Sequence, residues 1–151
     1  MNWQFGSVKI STVTIILAMD QYVTYNAEHK VLICRQHDYC IPPNYISRHF
    51  RESHKSIPLA TRQAIVDYSQ KMNLLAPEAV LNPTESVNPI NHLRVLQGFQ
   101  CFHDDCLALH TTENSIKQHC REKHQWESES GDMWIKQSMQ TFFFAKHCKY
   151  I

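Results

Sequence analysis

Two Cys and two His stand in the pattern C-x4-C-x12-H-x4-H: Cys101, Cys106, His119 and His124. Thiolates and imidazoles in this number suit Zn2+ in a tetrahedral site of two sulfurs and two nitrogens. The spacing has a physical reason. Two Cys on either side of a tight β-knuckle offer their sulfurs to one point. Two His five positions apart lie about one and a half turns along an α-helix and point to the same side. Ile116, three residues before the first His, is an apolar contact between such a helix and the knuckle strands. The fourth position after Cys106, where Phe is usual, is His110, and Leu107 or Leu109 is left to supply that packing. His103, His110 and Cys120 could ligate by type, but each is read as a surface or packing residue.

A second group repeats the helix end of the pattern. Cys34, His49 and His54 are preceded by Ile46, again three before the first His. Two residues compete for the fourth ligand. His37 gives C-x2-H-x11-H-x4-H, and Cys40 gives C-x5-C-x8-H-x4-H. The knuckle length and the distance to the helix favour His37. The expected load is therefore two Zn2+ per chain, held by Cys34, His37, His49, His54 and by Cys101, Cys106, His119, His124.

Elements must carry these ligands. Val31, Leu32 and Ile33 run as a short strand into Cys34, and Val95 to Phe99 run as another toward Cys101. Pro42 and Pro43 mark a turn before a helix over 44–55, whose Ile46, His49, Phe50 and His54 share one side. A helix over 58–72 follows, with Ile65, Tyr68 and Met72 at helical spacing. Residues 73–91 contain Pro77, Pro83 and Pro89 and read as an extended connector. Residues 112–123 form a helix capped by Thr111 or Thr112. After a polar break at 127–132, Trp134, Ile135, Met139 and three consecutive Phe predict a last helix over 133–144. Alternating β-branched residues near 8–18 predict a strand.

The fold class expected is a small, zinc-stabilised α+β chain. Two ββα-like C2H2-type finger units are joined by a helix and a Pro-rich connector, with an α-helical C-terminal tail. Its segments are an unassigned stretch 1–28, a first unit 29–57, the helix and connector 58–92, a second unit 93–127 and an aromatic segment 128–151.

Composition removes several function classes. With three Gly in 151 residues and no GxGxxG or GxxxxGK[ST] run, nucleotide binding has no support. The formal charge of +1 lacks the basic excess of a DNA-binding domain. No HExxH helix is present, nor the H-x-E with P-C-x-x-C pair of the zinc deaminases. Each Cys/His group can offer four ligands, whereas a catalytic zinc keeps one position open. A non-catalytic protein is expected. The run Ile10–Met19 is too short for a membrane helix and lacks a cleavage site. Cys beside His at ligand spacing suits a reducing compartment, nucleus or cytoplasm, with the nucleus favoured.

The runs LICRQHDYCIPPNYISRHFRESHK, IPLATRQAIVDYSQKMNLLAPEAV, INHLRVLQGFQC, SIKQHCREKHQW and MWIKQSMQTFFF, in this order, resemble a fungal family. The family is named after the orsellinic acid biosynthesis cluster protein D, and the resemblance spans about residues 26–144. It implies two finger-like Cys/His motifs, the first at Cys34, His37, His49 and His54 and the second at Cys101, Cys106, His119 and His124. Larger members carry this region beside helicase-like domains, which implies a regulatory, nucleic-acid-linked role. The residues offer only weak support for base reading. Helix positions that meet bases in C2H2 fingers are Thr112, Ser115 and Gln118 in one unit, and Pro42, Tyr45 and Arg48 in the other. Only Arg48 and Gln118 are good readers. Forty-six residues separate His54 from Cys101, too many for two fingers to track one groove in step. The alternative is a zinc-stabilised protein-interaction module, with Trp134, Ile135, Met139 and Phe142–Phe144 as anchors. The sequence is silent on oligomeric state.

Overall fold

Val31–Cys34 is a run of strand-forming residues with no polar break, so both of its faces must be covered. A computed structural model describes Leu17, residues 19–83 and residues 88–151. In it Val31–Cys34 is β2, the middle strand of an antiparallel sheet flanked by β1 (Val23–Asn26) and β3 (Tyr39–Cys40). All four residues of β2 are buried. Side chains alternate across a strand. Leu32 and Cys34 join Met19, Val23, Ile41 and the helix residues Ile46, Phe50 and Ile65. Val31 and Ile33 face the other way and join Cys40, Val80, Leu93, Phe142 and Phe143.

Two helices cover the first face. Helix α1 (Ile46–Ser53) follows a 3-10 turn at Pro43–Tyr45 and buries Ile46, His49 and Phe50. Helix α2 (Leu59–Ser69) packs against α1 and buries Ile65. The described part of the connector that follows holds a 3-10 turn at Pro77–Ala79. It is pinned at Leu75, whose N–H donates to the Lys30 carbonyl at 2.9 Å.

A second antiparallel sheet has β4 (Leu96–Cys101) at its centre, between β5 (Leu109–His110) and β6 (Trp134–Met139). Helix α3 (Glu113–His124) lies on one face. Of the two expected caps, Thr111 and Thr112, it is Thr112 whose side chain accepts from the Ser115 N–H at 3.1 Å. Gln125 ends it in a left-handed conformation, φ 55°. Under α3 lie Cys101, Ile116, Cys120, Trp126 and Trp134, the two indoles meeting edge to face at 4.9 Å. The chain is thus a small α+β protein with two three-stranded sheets and helices.

The C-terminal segment departs from expectation. Residues 134–139 form a strand, β6, where helical spacing predicted a helix. The spacing of Trp134, Ile135 and Met139 fits either structure; six-residue pairing with β4, from Leu96↔Met139 to Cys101↔Trp134, decides for the strand. Past β6 the chain runs without a helix-length element, apart from a 3-10 turn at Ala145–His147. Phe142 and Phe143 cross to the first sheet, where the Cys40 N–H donates to the Phe142 carbonyl at 2.7 Å. β1 was also not anticipated. The strand expected near 8–18 lies, apart from Leu17, outside the described residues. Among the described residues no helix is long and apolar enough to cross a membrane.

Gly98 is where β4 tolerates no side chain. A Cβ there would run into the Met139 thioether and sit 2.5 Å from the His110 carbonyl oxygen. Gly98→Ala is therefore expected to cost about 1–3 kcal/mol in a urea melt, as overpacking does. Adding Met139→Ala should recover only part of the loss, because the backbone oxygen stays in place.

Candidate metal centres

Each sheet delivers its ligands by the same device. At the first, Cys34 ends β2 and His37 sits in the turn to β3. The Asp38 N–H donates back to the Cys34 carbonyl at 2.8 Å, and Asp38 takes a left-handed φ of 58°, which Asp tolerates better than most residues. This tight return carries the His37 ring back beside Cys34, with Nδ1 3.2 Å from the sulfur. Helix α1 then presents His49 on its buried face, and His54 follows just past its end. His54 Nε2 lies 3.3 Å from Cys34 Sγ and 3.0 Å from His49 Nε2. One atom from each of the four residues falls within 4.8 Å of every other.

The strand register explains why His37, and not Cys40, completes this group. Cys40 is the cross-strand partner of Ile33, while Cys34 is paired with Tyr39. Paired residues share a face, and neighbours along a strand do not. Cys40 therefore points with Ile33 into the apolar cluster on the far side, where burial raises its thiol pKa far above the usual range.

At the second group Cys101 ends β4 and Cys106 follows a turn with Asp104 at φ 44°. The Cys106 N–H closes on the His103 carbonyl at 2.9 Å. Helix α3 supplies His119 and His124, with His119 Nε2 3.3 Å from Cys106 Sγ. These four ligand atoms also fall within 4.8 Å of one another. The remaining residues of ligand type stand outside. His103 stacks on His124 at 4.1 Å, and His110 lies 5.0 Å from His119, ring to ring. Cys120 is wholly buried between α3 and β4 beside Cys101, its thiol pushed up to about 11 by burial and the neighbouring thiols.

The electrostatics suit a cation. Burial holds His49 down to about 4, helped by His54 and His37, and lowers His54 and His119 as well. Each imidazole is thus neutral near pH 7, as a ligand must be. Burial also raises Cys34 and Cys101, so without a cation both thiols keep their protons. Around His49 and His54, deprotonated ring nitrogens would meet lone pair to lone pair, an arrangement that a shared positive ion relieves. His124 Nε2 is buried with no hydrogen-bond partner among the described residues. Zn–N of about 2.0–2.1 Å and Zn–S of about 2.3 Å imply tetrahedral edges of roughly 3.3–3.8 Å. The observed 3.0–3.3 Å contacts are slightly tighter. Both groups could hold a metal ion: one with one thiolate and three imidazoles, the other with two of each.

Sequence reasoning missed the support around the first group. Tyr39 stacks on His37 at 5.5 Å and meets His49 edge-on at 5.8 Å. Phe50 stacks on His54 at 4.9 Å. His49 and His54 have buried Nδ1 atoms with no partner among the described residues, so ring packing, rather than the usual outer hydrogen bond, sets their orientation. An aromatic residue two places after His37 was the available signal.

The chain is 32% identical over 126 residues to the Orsellinic acid/F9775 biosynthesis cluster protein D of Emericella nidulans. The match covers 83% of this chain and 24% of the relative, so the chain spans about a quarter of that protein's length. No solved structure matches the chain. The family described as Orsellinic acid/F9775 biosynthesis cluster protein D matches residues 21–125, a stretch that contains both Cys/His groups. On that match the chain belongs to this family of secondary-metabolite cluster proteins.

Proposed function

We propose that the chain is a non-catalytic binding module whose two C2H2-type, finger-like units are each held by a structural Zn2+. The observation that carries this reading is the closure of the first group. Four ligands converge there, with Cys34, His49 and His54 buried and His37 half-buried, so protein groups can fill all four positions around an ion. A structural zinc uses all four positions for protein, and its binding energy becomes folding energy. Thiolate ligands of this kind need a reducing compartment, nucleus or cytoplasm.

We favour a protein partner over nucleic acid; of the apolar anchors in the C-terminal segment, Ile135 and Phe144 are exposed, while Trp134, Met139, Phe142 and Phe143 are buried within the chain. The candidate base readers are engaged within the chain. Arg48 holds Glu52 through both carboxylate oxygens at 2.9 and 3.0 Å and lies over the Tyr45 ring. Gln118 donates to Glu122 at 2.7 Å, and Thr112 caps α3. Such exposed contacts are screened by solvent and could be broken. The greater obstacle is sign: Glu52, Glu113 and Glu122 lie on the same faces as Arg48, Lys117 and Gln118, which cancels the field a phosphate backbone needs. A regulatory, nucleic-acid-linked role rests on Arg51, Lys55, Arg121 and Lys123 at the helix ends and remains the reading to test against.

Three outcomes are expected. Elemental analysis should give two zinc ions per chain; Cys34→Ala and Cys101→Ala should each lose one, while Cys40→Ala keeps both. A titration with mixed-sequence DNA should show no binding at low salt; an affinity that falls steeply with salt would establish phosphate contacts and reverse the choice of partner. In the metal-loaded chain the ion and burial both hold His49 neutral, burial with the help of His54 and His37 lowering it from 6.5 to about 4. The unfolded chain then binds more protons, so stability should fall as pH drops from about 6.5 toward 4. A thermal melt series that is flat across this window would contradict a buried, neutral His49.

A further inference from the structure

The knuckle that carries His37 is finished by residues from elsewhere in the chain. Arg94, two positions before β4, donates its backbone N–H to the Asp38 carbonyl at 3.0 Å and reaches the His37 carbonyl with its guanidinium at 3.4 Å. Just past β6, Phe142 accepts from the Cys40 N–H, and Phe142 and Phe143 pack on Ile33 and Cys40, the far side of the strand pair whose near side bears Cys34. Phe144 meets Tyr39 edge-on at 5.5 Å, and Tyr39 in turn stacks on His37. These contacts are themselves held. Buried Gln140 donates from Nε2 to the Ile90 and Leu93 carbonyls at 3.0 and 2.8 Å and accepts from the Ile90 N–H at 2.7 Å.

The same strands serve the second group. Cys101 ends β4, directly opposite Trp134 at the start of β6, and the Phe102 N–H donates to the Met133 carbonyl at 3.0 Å. Arg94 and Phe142 therefore extend from the same end of one structure, the antiparallel β4–β6 pair, which six residue pairs stitch together and whose far end carries a ligand. A strand pair that is ordered by an ion at Cys101 brings both clamps to the His37 knuckle together. A knuckle ordered by an ion at Cys34 and His37 gives those clamps a surface to dock on.

From this geometry we infer that the two metal sites are coupled: an ion in either raises the affinity of the other, with Arg94, Gln140 and Phe142 as positioning residues. The inference rests on both groups being metal sites. Coupling between sites is reciprocal, and its usual size is roughly 5–150-fold in affinity.

The test uses the full chain with Co2+ as the probe, displaced by a competing chelator. The sites are told apart spectroscopically, since one offers a single thiolate and the other two. Cys101→Ala with His124→Ala removes the second site and should weaken the first at least about fivefold. Cys34→Ala with His54→Ala should weaken the second by the same factor. In a Phe142→Ala background, which keeps every ligand, removing one site should no longer change the other. General loss of stability would lower both affinities in that background yet leave their mutual dependence. Affinities indifferent to the loss of the other site, or a dependence that survives Phe142→Ala, would overturn the coupling. A wild-type chain that takes up fewer than two ions would overturn the metal reading beneath it instead.

Discussion

A four-residue strand with two buried faces sets the terms for the whole molecule. Val31–Cys34 has no side that meets solvent, so the chain must bring cover to it from two directions. Helices α1 and α2 supply one, and with them come His49 and His54. The connector and the residues after β6 supply the other. Because alternation along β2 is strict, one residue of shift would send Cys34 into the apolar layer and bring Ile33 among the imidazoles. Metal chemistry and core packing are thus fixed by a single register.

The second sheet has a lighter demand, since its central strand β4 is only partly buried. β4 leans on α3 by one face, and Trp134 and Trp126 fill space beneath that helix beside a two-residue β5. Neither half has a large core. Small domains of this size usually need an added staple, which structural metals provide. Packing between the halves, through Phe142 and Phe143, adds apolar contact that neither could make alone.

The ligands were the most legible part of the sequence, because helical spacing and knuckle length are local rules. Ile46 and Ile116 were legible for the same reason: both are buried, three residues before a His. The three helices follow their signals to within a few residues, down to the cap at Thr112. What could not be read depends on distant partners. Trp134, Ile135 and Met139 fit a helix as well as a strand until β4 is known to lie alongside. β1 carries a weak local signal, VTYN, and exists through its pairing with β2. Cys40 could compete with His37 on paper because spacing alone does not state which face of a strand a residue occupies.

The two ligand sets differ by one sulfur, and that difference has a chemical consequence. Around a divalent ion, Cys101 and Cys106 together balance the charge, whereas Cys34 alone leaves one positive unit inside an apolar body. Thiolates also favour soft ions over borderline ones. Cadmium and cuprous copper, both strongly thiophilic, would therefore invade the pair of sulfurs first, and the imidazole-rich site would be the more faithful to zinc.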